Sequence, residues 1–351
     1  MKKYEMLSAE LKEGIRSGKY PEGKSLPTEE ELSAKYSMSR QTVRKALQIL
    51  VNEDLIVKRQ GSGSVVKGKG SNPRSHIIAV IATYIDDYIF PGQLRAVESV
   101  LSANGYTPVL AATGNRVYSE RTILEDLLNK PIDGFLIEGT KTAMPNPNFD
   151  LYARLFKRRI PVVFFNSYYP ELQGTISVCA DNRSGGYELV NYLLGKGHER
   201  IAGFFKSDDI QGHQRYLGYI SALRDAGRLV GDEKVIWYTT ESKEQMLSDA
   251  EAILSRIGDS TAVVCYNDDI AIRLIRTLTQ CGKRVPEDIA VASFDNSNFS
   301  EISPVRITSM SYEDRNIGSI AASKLIDILN GKKVHSESVP WTLAEKKVPD
   351  N

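Results

Sequence analysis

The first clear apolar periodicity of the chain belongs to a short helix pair. Val43, Ala46, Leu47, Leu50 and Val51 recur at i, i+3, i+4, i+7 and i+8, the stripe of a helix that buries one face. Ser39 stands where that helix needs its N-cap, and Ser37-Met38-Ser39 reads as a tight polar turn before it. Upstream, Thr28-Glu29-Glu30-Glu31 has capping-box spacing, so a helix is predicted from there to about Tyr36. Downstream, residues 55–60 and 64–67 read as two strands around Gly61-Ser62-Gly63, a loop without bulky side chains. Two helices and a two-stranded wing predict a winged helix-turn-helix over residues 1–67.

Residues 68–75 carry glycine, serine, proline and charge with no apolar side chain, and read as a linker. Beyond it the pattern becomes continuous apolar strands alternating with helices. Strands are predicted at 76–83, 106–112, 132–138 and 161–166, then at 201–206, 235–239, 261–266 and 288–294. Helices are predicted near 94–103, 184–195, 212–226, 243–257 and 268–281. Such runs imply parallel sheets covered on both faces, and two runs imply two α/β lobes. Lobe one is expected at about 76–167 and 304–332, and lobe two at about 168–303 and 333–351. The crossovers between them are expected near 166–169 and 295–303.

Charge sharpens the division. Residues 1–75 hold 15 Lys+Arg against 9 Asp+Glu, which leaves 30 against 35 of the chain's 45 and 44 for the remainder. A basic head of net +6 on a body of net −5 implies a polyanion at the head. Gln41, Arg44, Lys45 and Gln48 lie roughly opposite the apolar stripe of the second helix, with Arg40 at the stripe's edge in the first turn. Arginine and glutamine pair bidentately with guanine and adenine edges, so this face suits a major groove. Candidate DNA contacts are Lys3, Glu29, Arg40, Gln41, Arg44, Lys45, Gln60, Gly61, Ser62 and Gly63.

In doubly wound sheets ligands bind outside the carboxyl ends of the strands, and those segments are strongly polar here. Carboxylates, amides and a lysine with tyrosines nearby suit a polyol, whose hydroxyls both donate and accept and whose ring presents apolar faces. Taken alone, Asn267-Asp268 could be no more than a helix cap; recurrence at six strand ends favours a sugar cleft. Candidate effector residues are Tyr84, Tyr88, Glu138, Lys141, Asn166, Lys206, Gln211, Arg215, Asn267, Asp268 and Asp295.

These residues carry two resemblances. Leu26-Pro27-Thr28-Glu29, the run Ser39 to Leu47, and Gln60 to Ser64 resemble the GntR-family DNA-binding domain. The resemblance implies that Arg40 and Arg44 touch DNA, that the first turn of the preceding helix contributes near Glu29, and that the wing glycines reach the minor groove. Gly197 to Ala202, Arg215 to Tyr219, Tyr266 to Ala271, Val285 to Ile289 and Ser293 to Asn296 resemble the effector module of LacI-type repressors, itself similar to periplasmic sugar-binding proteins. There the positions matching Arg215, Asn267 and Asp295 line the cleft. The head departs from the LacI pattern, being winged and GntR-like. The fusion resembles arabinose-responsive repressors, which implies a homodimer on double-stranded operator DNA, released by a pentose, L-arabinose. A repressor of the same build that answers another sugar is the alternative.

Other function classes fare worse. No run approaches the roughly 20 apolar residues of a membrane span, and Tyr4 to Ser17 is amphipathic rather than a signal sequence, so a cytoplasmic protein is expected. Cys179, Cys265 and Cys281 lack metal-ligand spacing, and the four histidines are scattered, so neither metal nor cofactor is expected. No GxSxG, HExxH or Walker-type loop supports an enzyme. A transport binding protein would not need the winged head.

Overall fold

A computed structural model describes residues 3–53, 55–59, 63–67, 74–228, 231–298, 305, 307–312 and 315–345. The chain divides into two compact units, Met1–Arg74 and Ser75–Asn351.

In the first unit, helices α1 (Lys3–Arg16), α2 (Glu29–Tyr36) and α3 (Arg40–Asn52) surround a core of Leu7, Leu11, Leu26, Leu32, Val43, Ala46, Leu47 and Leu50. The capping box forms as its spacing dictates. The Glu31 amide donates to Thr28 Oγ1 at 3.2 Å, and the Thr28 amide donates to the Glu31 carboxylate at 2.7 Å. These bonds hold the Glu31 carboxyl below its ordinary pKa. α2 ends on Ser37 in the left-handed region (φ 51°), which supplies the sharp turn into α3. Strands β1 (Ile56–Arg59) and β2 (Gly63–Val66) pair antiparallel, with Arg59 opposite Gly63.

The second unit contains two six-stranded sheets. The first runs β4 (Thr107–Ala112), β3 (Ile77–Ala82), β5 (Gly134–Ile137), β6 (Val162–Phe165), β7 (Ile176–Ala180) and β13 (Glu337–Val339), all parallel. The second runs β9 (Val235–Tyr238), β8 (Ile201–Lys206), β10 (Ala262–Cys265), β11 (Ala290–Phe294) and β12 (Thr308–Ser311) in parallel, with β14 (Thr342–Ala344) antiparallel at its edge. Helices α4 (Phe90–Ala103), α5 (Val117–Leu127), α6 (Phe149–Lys157) and α12 (Ile317–Leu329) belong to the first lobe. Helices α7 (Asn182–Gly195), α8 (Ile210–Asp225), α9 (Lys243–Ser248), α10 (Ala250–Ile257) and α11 (Asp268–Gln280) belong to the second. α7 and α8 pack so closely that a Cβ on Gly186 would lie 2.3 Å from the Arg215 carbonyl oxygen. No helix among the described residues is long and apolar enough to cross a membrane.

Two sequence expectations need correction. The crossovers lie later in the chain than 166–169 and 295–303. They fall at Asp181 between β7 and α7, between Ser311 and Ile317, and at Pro340-Trp341 between β13 and β14. Residues 176–180 and 337–339 therefore belong to lobe one and 308–311 to lobe two, because ladder pairing with β6, β7 and β11 respectively decides membership. The helix expected over 243–257 is two helices. Asp249 leaves the helical region and its side chain accepts the Ala252 amide, so it caps a new helix instead of continuing the old one.

Candidate functional site

The recognition face is built by burial on one side of α3. Val43, Ala46, Leu47 and Leu50 are sequestered, which leaves Arg40, Gln41, Arg44, Lys45 and Gln48 exposed. Arg44 Nε donates to Glu29 Oε2 at 2.6 Å, and Lys58 from β1 lies 3.7 Å from the same carboxylate. Arg40 reaches Glu30 at 2.7 Å. Both arginines remain about two-thirds exposed, so water screens these pairs and they can be exchanged for a stronger anion. Lys3 is exposed in the first turn of α1, and Gly63 is exposed with φ 72°. Gln60, Gly61 and Ser62 lie outside the described residues.

Within the second unit, a cavity of about 230 Å³ opens between the carboxyl ends of the two sheets. Of the residues singled out from sequence, Tyr84, Tyr88, Glu138, Asn166, Lys206, Gln211, Arg215, Asn267 and Asp295 line it together. From lobe one, the Glu138 carboxylate at the end of β5 accepts from the Thr83 amide at 2.8 Å, the Thr83 hydroxyl at 2.5 Å and Asn166 Nδ2 at 3.2 Å. Burial nevertheless pushes the Glu138 carboxyl up to about 7. Asn166 is fixed in turn by an amide pair with Gln93. From lobe two, Lys206 Nζ donates to Asp209 at 2.5 Å. Burial opposes the Lys206 charge, but Asp209, Tyr266 and Asp208 outweigh it and raise the ammonium's pKa. Arg215 donates to Asn182 Oδ1 at 2.9 Å, to the Tyr266 carbonyl, and to Asp295 Oδ1 at 3.3 Å. Asn267 both caps α11, accepting the Ile270 amide, and faces the cavity.

Bonds cross the cleft at several points. Tyr88 donates to Asp295 Oδ2 at 2.7 Å and accepts the Asp268 amide at 3.1 Å. Gln211 Nε2 donates to the Asn166 carbonyl at 3.0 Å, and Asn115 Nδ2 reaches Thr240 Oγ1 at 2.7 Å. Tyr88, Asn166 and Asp295, all lining the cavity, have positive φ (59°, 58° and 93°). Non-glycine residues held there store backbone strain, which clusters at ligand clamps.

Lys141 and Asp268 do not line the cavity. The positive φ of Lys141 (46°) turns its side chain to Glu241, at 2.6 Å, so that it bridges the lobes beside the cavity. Asp268 is fully buried, accepting from Ser293, Ser297 and Ser309 as a brace between α11 and the sheet. Sequence reasoning omitted Asp209, Tyr238, Tyr266, Asp269 and Tyr312. Asp209 and Tyr266 sat inside the polar strand-end segments and were legible. Tyr312 follows a strand that carries no apolar signature.

Residues 3–66 match the family model of bacterial regulatory proteins of the gntR family, and residues 190–346 match that of the periplasmic binding protein-like domain. The arabinose metabolism transcriptional repressor of Halalkalibacterium halodurans is 36% identical over 341 residues, covering 94% of this chain and 90% of that protein. The protein of the same name from Geobacillus stearothermophilus is 37% identical over 339 residues, covering 95% and 92%. The chain belongs to the family of GntR-type regulators fused to a LacI-type effector domain. The solved structure of the transcription regulator CcpA of Lactococcus lactis superimposes with a TM-score of 0.68 at 26% identity, covering 77% of this chain and 97% of that one. As a GntR/LacI-type regulator, the protein is a sugar-responsive transcriptional repressor and not an enzyme.

Proposed function

We propose that this repressor binds operator DNA as a dimer in the cytoplasm and is released by a pentose, L-arabinose, held between the lobes of its second unit. The observation that carries the reading is the cavity. It is lined from both lobes by hydrogen-bond donors and acceptors, with the rings of Tyr84, Tyr88, Tyr266 and Tyr312 among them. Its volume of about 230 Å³ lies just below the roughly 300 Å³ at which sites for larger small molecules begin, which fits one monosaccharide. The names of the similar repressors from H. halodurans and G. stearothermophilus favour arabinose among monosaccharides.

In this reading Glu138, Asn166 and Tyr84 grip the sugar from one lobe, and Lys206, Gln211, Arg215, Asn267 and Asp295 grip it from the other. A ligand that bridges two lobes stabilises one lobe geometry over another, and two heads on two half-sites tolerate little change in spacing. Arg40, Gln41, Arg44 and Lys45 enter the major groove, Lys3 and Glu29 stand at its margin, and the wing residues Gln60, Gly61, Ser62 and Gly63 approach the minor groove. Calorimetric titration of the full-length protein with L-arabinose, D-xylose, D-ribose and D-galactose tests the effector. Saturable binding of L-arabinose with the others silent is expected; preferential binding of another sugar overturns the assignment while leaving the architecture.

A further inference from the structure

Arg215 stands at the floor of the cavity with its guanidinium enclosed by three rings. Its Cζ lies 4.3 Å from the Phe294 centroid, 4.8 Å from Tyr266 and 5.3 Å from Trp341. Aromatic faces take the place of hydration around a buried cation. Phe294 ends β11 and Tyr266 directly follows β10, whereas Trp341 sits in the two-residue crossover between β13 and β14 and is not among the residues lining the cavity.

Trp341 connects Arg215 to the crossovers. The indole stacks on Tyr312, the residue that leaves β12 toward lobe one, with centroids 4.1 Å apart and planes 26° from parallel. Its edge is wedged against α7, where a Cβ on Gly185 would lie 2.4 Å from Trp341 Cδ1. The remaining crossover is held by Arg215 directly, through its bond to Asn182, the first residue of α7. One guanidinium therefore contacts two of the three crossovers and is one ring away from the other. Trp341 Nε1 is buried and has no hydrogen-bond partner among the described residues. The contacts that hold the indole among the described residues are packing and stacking, through its aromatic face.

We propose that Trp341 is a positioning residue of the effector site, acting on the sugar only through Arg215, which it presses toward Asp295 and ties to the crossovers. The proposal rests on the sugar reading of the cavity. It is tested in the full-length protein with Trp341→Leu, Trp341→Phe and Gly185→Ala, the last of which is not among the cavity-lining residues and sets its methyl against the indole, whose atoms are the three nearest to it. Trp341→Leu and Gly185→Ala are each expected to weaken L-arabinose binding at least about tenfold, with Trp341→Phe within about threefold of wild type. Operator affinity of the sugar-free protein should stay within about twofold throughout. Unchanged sugar binding in Trp341→Leu and Gly185→Ala, an equal loss in Trp341→Phe, or a parallel loss of operator binding would overturn it.

A spectroscopic arm decides the contact independently. The chain has two tryptophans, and Trp237 on β9 is exposed, so Trp237→Phe leaves Trp341 as the sole indole fluorophore. In that background and without sugar, Arg215→Met should shift Trp341 emission, and an unmoved spectrum overturns the stack. A wild-type protein that binds none of the sugars refutes the effector reading instead, and the emission arm still decides whether Trp341 holds Arg215.

Discussion

Glu138 shows how a single side chain balances two demands. Three donors satisfy its oxygens, yet burial raises its carboxyl to about 7 from an ordinary 4.5. Between those values the folded protein retains a proton that the unfolded chain has released, so stability falls as pH rises through about 4.5–7 and levels off above. Glu138→Gln, which keeps the shape and removes the titration, should flatten that slope and stabilise the second unit by up to about 3 kcal/mol above pH 7. Thermal melts across pH 5–8 check it, and a slope identical to wild type would assign the titration elsewhere. Arg44 presents the opposite case, an exposed cation whose bond to Glu29 is too screened to matter much for folding. Arg44→Ala should weaken operator binding by about 1–3 kcal/mol while L-arabinose affinity stays unchanged. Loss of both in the same titrations would make the residue structural.

Elements were legible in the sequence where burial wrote a pattern and hidden where pairing alone decided. The strands β3, β5, β6, β8, β10 and β11 are almost wholly buried and read as continuous apolar runs. β12 (TSMS), β13 (ESV) and β14 (TLA) are short and mixed, and become strands only because distant neighbours offer a ladder. Missing them, and the half-buried β7 (ISVCA) that carries lobe one past 166–169, misplaced the crossovers, and with them Tyr312 and Trp341, which flank β12 and β14. The polar strand ends gave away most of the cavity, but not which way a side chain turns: nothing in the order of residues places Lys141 outside it while Asp209 lies inside. In the head, capping and stripe agree so fully that α2 and α3 follow from local chemistry. Leu47 is fully enclosed within that stripe. Leu47→Ala should cost the first unit about 2–5 kcal/mol, seen by calorimetry as a lowered transition for the head and an unmoved one for residues 75–351. Movement of both transitions would contradict the division into two folding units.

In the function proposed above, a basic head and an acidic body are coupled through a shift in population. Sugar and DNA need only prefer different arrangements of the same protein, and linkage then makes each weaken the other. The body is suited to this task because its lobes are joined by three thin crossovers and bridged across the cleft by exchangeable polar contacts, among them Tyr88 to Asp295 and Gln211 to Asn166. A ligand inserted among those groups can add contacts on both sides at once. The most direct test is fluorescence anisotropy of a labelled operator, selected from random duplexes by the full-length protein itself, during titration with L-arabinose. Saturating sugar is expected to release wild-type protein from the DNA and to leave the Asp295→Ala variant bound. Retention or tightening of the wild-type complex at saturating sugar, or release of the variant at the same concentration, would contradict it.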